Sequence, residues 1–207
     1  MLLLCGPLTL SLRTKRAPRL LIVARQPDWG GIARLPRELQ RAGFSVGVLC
    51  QPGAPLAKTR FVRQFYLLRQ RRPREATWVQ ALVQTVQDWR PVLTIPGDDP
   101  TVEFLQQVAR PDPAGEPVVP ERVRRTMAFS LGDSDSFAAT TNKNALYLVA
   151  CELGLRTRAL RVGACWEEAR SFIAERPGGP VVLKSPTGWA GQGVRICRNR
   201  RQLREAF

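Results

Sequence analysis

Residues 180–196 read PVVLKSPTGWAGQGVRI, a stretch that decides the fold because it joins a strand pattern, a lysine and a glycine loop. The apolar run Val181–Leu183 is typical of a strand buried on both faces, and it places Lys184 at the strand's far end. Val194–Cys197 then resumes as a strand. Three glycines between the two strands permit a tight reversal whose backbone N–H groups could approach an anion. These glycines are Gly188, Gly191 and Gly193.

The order of these elements separates the stretch from the common nucleotide-binding loops. A Walker A loop needs GxxxxGK[ST], a dinucleotide-binding turn needs GxGxxG, and both lead from a strand into a helix. The stretch contains neither motif. Its glycine content alone leaves two interpretations open, which are a phosphate-binding loop and an ordinary hairpin with a solvated lysine.

A second lysine opens a predicted helix about forty residues before Lys184. Asn142-Lys143 precedes apolar residues at helical spacing, and Gly154 ends the pattern. The apolar positions are Ala145, Leu146, Val149, Ala150 and Leu153. This spacing predicts a helix that begins at Asn142-Lys143.

The two segments together resemble the ATP-grasp superfamily, in which a strand ending in lysine is followed by a Gly-rich loop that folds over ATP. The resemblance covers residues 19–207 and is most specific from Lys143 onward. It implies that Lys143 and Lys184 contact the nucleotide phosphates. It also implies that the amides of the loop glycines (Gly188, Gly191 and Gly193) close over those phosphates.

The same resemblance implies an activity for the complete protein, an ATP-dependent ligase that acts on a small carboxylate through an acylphosphate. ATP and magnesium are the expected cofactors. In the family, the adenine-binding linker and the magnesium ligands follow the segment that ends here at Phe207. This chain is therefore expected to be an ATP-binding, amino-terminal fragment that is inactive alone. The alternative is a non-catalytic α/β binding module, either a degenerate nucleotide binder or a basic nucleic-acid binder.

The first half of the chain alternates predicted strands with predicted helices, which indicates a parallel sheet. The strands are Leu20–Ala24, Val46–Cys50, Phe61–Leu68 and Val92–Pro96, and the helices are Leu35–Ala42, Thr77–Trp89 and Val102–Ala109. Asp98 and Asp99 follow the last strand, where one of them could cap the next helix or face a substrate, and capping is favoured.

The expected fold class is α/β, with a Rossmann-like parallel-sheet domain at 19–120 and an incomplete α+β ATP-grasp subdomain at 121–207. The boundary is placed in the Pro-rich stretch 110–120. Residues 1–18 are expected to form an N-terminal extension or an extra strand. The second domain is predicted to contain further helices and a short strand, namely helix Glu121–Phe129, strand Thr157–Val162 and helix Trp166–Arg176.

Composition excludes several classes of function. The 207 residues include no histidine, which excludes Ser-His-Asp and Cys-His nucleophile systems and zinc sites with histidine ligands. Five cysteines without CxxC spacing favour reduced core thiols and a cytoplasmic protein.

The amino terminus and the net charge bear on possible partners. Positive charges follow the N-terminal apolar run, whereas in a signal peptide they precede it. The run is also too short for a membrane helix, so no membrane partner is expected.

The net charge of +15 suggests a nucleic-acid interpretation. The arginines are spread along the whole chain, which disfavours that interpretation.

Overall fold

The computed structural model describes residues 17–70, 72–110, 119–163, 165–174, 179–188, 191 and 193–206. The chain divides into two compact units, Met1–Ile95 and Pro96–Phe207. The boundary predicted at 110–120 lies mostly outside the described residues, as does the extension predicted at 1–18. Those two domain limits therefore stay predictions.

A four-stranded parallel sheet organises the first unit, and the predicted α/β class is confirmed. Its strands are β1 (Arg19–Val23), β2 (Ser45–Cys50), β3 (Gln64–Leu67) and β4 (Leu93–Pro96). They lie in the order β3-β2-β1-β4. Leu20 pairs with Val46 between β1 and β2, and Gly47 pairs with Gln64 between β2 and β3. All four predicted strands are present, although the third begins at Gln64 rather than Phe61.

The core of this unit lies on the two central strands. Leu20–Val23 of β1 are all buried, as a strand covered on both faces requires. Side chains from β1, β2 and the short 3-10 helix Pro55–Lys58 form one cluster, which includes Ile22, Val46, Val48, Cys50 and Leu56. This continuous apolar core fixes the register of the sheet.

Two α-helices accompany the sheet, α1 (Leu35–Arg41) and α2 (Glu75–Trp89). A 3-10 helix, Gly31–Arg34, leads into α1, and Pro36 stands in the first turn of α1, where its missing N–H costs nothing. The buried side of α2 has helical spacing and consists of Trp78, Leu82, Thr85, Val86 and Trp89. The amphipathic helix predicted at Thr77–Trp89 is thereby confirmed.

Trp89 joins the end of α2 to the sheet. Its indole Nε1 donates a hydrogen bond to the carbonyl oxygen of Leu20 at 2.9 Å. The Arg19 guanidinium donates to the carbonyl oxygen of Trp89 at 2.9 Å and lies 5.0 Å from the indole centroid. The indole N–H and the carbonyl oxygen of Trp89 are thus both hydrogen-bonded.

The second unit combines helices with a two-stranded hairpin. Its helices are α3 (Asp99–Ala109), α4 (Glu121–Leu131), α5 (Phe137–Thr141), α6 (Lys143–Glu152), α7 (Trp166–Ala174) and α8 (Arg200–Ala206). Its strands are β5 (Val181–Lys184) and β6 (Val194–Cys197). Asp98 caps α3, because its carboxylate accepts from the Thr101 N–H at 2.8 Å. The capping interpretation of Asp98 is therefore confirmed.

Two elements of this unit differ from the sequence-based predictions. The strand predicted at Thr157–Val162 is absent, since residues 155–163 form neither helix nor strand and are exposed. A strand needs a hydrogen-bonding neighbour, and none of the described residues pairs with this segment. The sequence patterns also gave no sign of α5, whose five residues are too few for a periodic signal. Helix α7 matches its prediction as far as Ala174, and residues 175–178 are outside the described part.

Cysteine exposure divides the thiols into two pairs. Cys50 and Cys197 are buried, whereas Cys151 and Cys165 are exposed, and all four are free. The expectation of core thiols therefore holds for two of these four, and Cys5 lies outside the described residues. Within the part of the chain that the structure describes, no helix is both long and apolar enough to cross a membrane.

Candidate functional site

The hairpin formed by β5 and β6 carries the predicted glycine loop. The strands are antiparallel, and Val182 pairs with Ile196 while Lys184 pairs with Val194. These four residues share one face, because side chains alternate along a strand and directly paired residues point the same way. That face is open to solvent, with Val182 47% and Ile196 59% exposed.

The expectation that this strand is buried on both faces was wrong. Burial alternates along Val181–Lys184 instead, as in a sheet that is covered on one side. The covered side includes Cys197, and Leu203 of the neighbouring helix α8 is fully buried. The apolar residues of the other face remain exposed beside Lys184.

Backbone hydrogen bonds close the loop at the end of the hairpin. The Ser185 N–H donates to the Gly193 carbonyl at 3.0 Å, and the Val194 N–H donates to the Gly191 carbonyl at 3.1 Å. Gly193 has φ +71°, and a β-carbon there would lie 2.2 Å from the Ser185 hydroxyl oxygen. Glycine is favoured at this position, because the conformation is left-handed and the Ser185 side chain occupies the space that a β-carbon would need.

The helix α6 places Lys143 against this loop. The Asn142 side chain accepts hydrogen bonds from the N–H groups of Asn144 at 2.9 Å and Ala145 at 3.3 Å, which caps the helix one residue before the lysine. The helix predicted to begin at Asn142-Lys143 is confirmed. Gly154 follows it with φ +67°, in agreement with its predicted role as the end of the pattern.

Lys143 makes two contacts with the loop. Its backbone N–H donates to the Pro186 carbonyl at 2.9 Å. Its ammonium Nζ donates to the Gly188 carbonyl at 2.7 Å. The structure thus brings Lys143 and Gly188 together across 45 positions of sequence.

Lys184 and Gly191, two further residues of the predicted site, adjoin or lie within the same loop along the chain. Lys184 is exposed at the end of β5, and its neighbour Ser185 is the residue that bonds to Gly193. Gly191 turns the chain with φ +81°. The five predicted residues therefore belong to one loop and its supporting helix, while Trp189, Ala190 and Gln192 lie outside the described residues.

Sequence reasoning missed the part played by Ser185 and Pro186. The Ser185 hydroxyl donates to the Thr187 carbonyl at 2.6 Å and stands in the space that a side chain at Gly193 would need. The Pro186 carbonyl accepts from the helix. The only sign of this role in the sequence is a hydroxyl residue directly after Lys184, because contacts across a hairpin loop follow no fixed spacing.

The ammonium group of Lys143 contacts the loop, and Lys184 is exposed beside an apolar face, an arrangement that can attract anions. Lys143 at the start of α6 and Lys184 at the end of β5 are the two lysines next to this loop. Over the described ranges, no group of three or more Cys, Asp or Glu side chains could hold a metal ion.

Comparison with known proteins gave no match to any family model and no match among curated proteins. Solved structures do match. One is the biotin carboxylase domain of 2-oxoglutarate carboxylase from Hydrogenobacter thermophilus, in complex with MgADP, ADP and bicarbonate. It is 18% identical with a TM-score of 0.62, and the match covers 93% of this chain and 40% of that one.

Two further structures agree with it. An ADP complex of N5-carboxyaminoimidazole ribonucleotide synthetase is 16% identical with a TM-score of 0.61, over 92% of this chain and 44% of that one. An L-amino acid ligase from Bacillus licheniformis is 17% identical with a TM-score of 0.57, over 93% of this chain and 42% of that one. All three are ATP-grasp enzymes.

The chain has the fold of part of these ATP-grasp enzymes. It spans about two fifths of the length of these solved structures. The hairpin with its glycine loop belongs to the second unit.

Proposed function

We propose that this chain binds ATP through the glycine loop, Lys143 and Lys184. In the complete protein, this binding would serve an ATP-dependent ligase that acts on a small carboxylate by way of an acylphosphate. The contact between Lys143 and Gly188 carries the proposal, because it places one ammonium group against the loop that begins directly after Lys184.

The choice of side chain supports phosphate binding at this loop. Only four of the 32 basic residues in the sequence are lysines, and two of those four stand at this loop. Lysine acts as a compact point charge that fits phosphate groups approached by backbone amides. Positive φ angles at Gly188, Gly191 and Gly193 let the loop backbone turn closely around such a group.

The open face of the hairpin supports a nucleotide rather than phosphate alone. Val182, Val194 and Ile196 are exposed on the same face as Lys184. A flat ring system could cover these apolar side chains while its phosphates reach the lysine. Burial of the exposed apolar surface would contribute about 25 cal/mol per Å² to binding.

The reaction of the complete protein is proposed from the chemistry of such a site. Transfer of the γ-phosphoryl group of ATP to a carboxylate oxygen gives an acylphosphate and ADP, and an amine or another nucleophile then displaces phosphate. Lys143 and Lys184 would hold and neutralise the phosphate oxygens during transfer. Magnesium is expected for the complete protein. The described residues provide no ligand set for it, so none is assigned here.

Isothermal calorimetry with ATP tests the proposal on this chain. Lys184→Met removes a charge-assisted contact and should weaken binding by about 1.5 to 3 kcal/mol. Lys143→Met should act in the same direction. Lys58→Met is the control, because Lys58 is an exposed residue of the first unit. Unchanged affinity in both loop variants would reject the proposed site.

A salt series separates nucleotide binding from general attraction of the basic chain to polyanions. Binding of a single-stranded oligonucleotide should fall steeply between 50 and 200 mM salt, roughly in proportion to the number of phosphates contacted. It should also be insensitive to Lys143→Met and Lys184→Met. If ATP behaved in the same way as the oligonucleotide, specific binding at the loop would be excluded.

A further inference from the structure

We infer that Lys143 is a positioning residue for the glycine loop, which it holds in place from the start of α6 before any nucleotide arrives. The inference has a second part, in which a phosphate group and the Gly188 carbonyl share one ammonium. That second part rests on the proposed function, whereas the first concerns the chain without ligand.

Two contacts from one residue hold the near side of the loop. The Lys143 N–H bonds to Pro186, and its ammonium bonds to Gly188 two residues further on. The first bond fixes the loop to the helix backbone, and the second fixes the direction of the Gly188 carbonyl. Gly188 has φ +111°, and because it lacks a β-carbon its backbone can rotate unless a contact restrains it.

The two lysines differ in this respect. Lys143 is half-buried, capped into place by Asn142 at the first position of α6, and its ammonium already contacts the loop. Lys184 is exposed at the end of a strand. Removal of the Lys184 side chain would remove only a positive charge. Removal of the Lys143 side chain would remove a positive charge and also the hydrogen bond that holds the loop in position.

An ammonium group has three N–H donors. In the described part of the chain, Nζ of Lys143 uses one of them on Gly188. The remaining donors can serve phosphate oxygens while the carbonyl stays bound. A bound polyphosphate would then tighten the loop through Lys143 rather than displace it.

Hydrogen exchange measured by mass spectrometry on the 207-residue chain without nucleotide tests the first part. Lys143→Met should accelerate exchange of protected amides in peptides that cover residues 185–194 by about tenfold, the scale of one charge-assisted hydrogen bond. Lys143→Arg should keep most of the protection, because guanidinium also donates to carbonyls. Lys58→Met should leave the loop unchanged, and β1 and β2 should exchange as in wild type in every variant.

Asn142→Ala distinguishes loss of the ammonium from fraying of α6. It removes the helix cap but keeps Lys143. If Asn142→Ala accelerated loop exchange as much as Lys143→Met did, helix fraying would explain the effect and the inference would be overturned. Wild-type exchange rates in Lys143→Met would overturn it as well.

Addition of ATP tests the second part separately. Saturating ATP should slow loop exchange further in wild type and much less in Lys143→Met. Absence of ATP binding in wild type would reject the proposed function and the sharing of the ammonium, while the result without nucleotide would still decide the positioning role.

Discussion

The indole ring of Trp89 packs against the backbone of Gly47, where an added β-carbon would lie 2.9 Å from both Cε2 and Nε1 of the ring. The ring cannot shift easily, since Nε1 is bonded to the Leu20 carbonyl and Arg19 covers the ring. A glycine in the middle of a central strand is thus explained by the aromatic side chain above it.

Gly47→Ala should lower the free energy of unfolding by about 1 to 3 kcal/mol, because overpacking forces the ring or the strand to move. Urea unfolding followed by circular dichroism measures this difference. Gly53→Ala is the matched control in the same unit, since its β-carbon would meet nothing within 4 Å. Equal stability of the two variants would contradict the packing described for Trp89.

Gly193→Ala should disturb the loop without unfolding the chain. Its β-carbon would lie 2.2 Å from the Ser185 hydroxyl oxygen, at a φ of +71° that alanine adopts at a cost of about 1 kcal/mol or more. We expect at least tenfold weaker ATP binding in calorimetry and an unchanged circular dichroism spectrum. Gly163→Ala serves as the control, because its β-carbon would make only ordinary contacts, at 3.7 Å from Glu168. ATP affinity equal to that of the control would show that the loop geometry does not govern binding.

The four cysteines among the described residues should react with iodoacetamide in two classes. Cys151 and Cys165 are exposed and should be alkylated within minutes at pH 8, whereas Cys50 and Cys197 are buried and should be protected until the chain unfolds. Burial also raises the pKa of the Cys50 thiol to about 11, so that little thiolate forms at pH 8 even where reagent enters. Peptide mapping of the alkylated chain measures the order.

The raised pKa of the Cys50 thiol also makes the stability of the folded chain depend on pH. The folded chain keeps the thiol protonated above the pH at which the unfolded chain loses the proton, so the stability that Cys50 contributes is complete at neutral pH and decreases as pH rises toward 11. The difference in unfolding free energy between wild type and Cys50→Ala should therefore shrink from pH 8 to pH 11. A constant difference would contradict the burial of this thiol.

The sequence predicted local features of the second unit well. Asn142 before a periodic apolar segment is a helix-start signal that depends on neighbours along the chain, and Asp98 before Pro100 is another. The glycines after Lys184 indicated the turn, again because a turn depends on residues that are adjacent in sequence. Each of these signals arises within a few residues.

Features that depend on distant partners could not be predicted in this way. Val181–Leu183 is an apolar run, but whether one or both of its faces are covered depends on what packs there, and only one face is covered. Thr157–Val162 has strand composition without a pairing strand among the described residues. The hydrogen bond from Lys143 to Gly188 crosses 45 positions and has no sequence signature.

That same bond closes a long segment of the chain on itself. Between residues 143 and 188 the chain forms α6, the irregular stretch 155–163, α7 and then β5 of the hairpin that carries the loop. Both ends of this excursion are fastened to each other, so a change of length in its exposed middle need not move either end, and a longer closed loop adds little entropic cost. We therefore expect the stretch 155–163 to accept an inserted tag or reporter without displacement of the contact between Lys143 and Gly188.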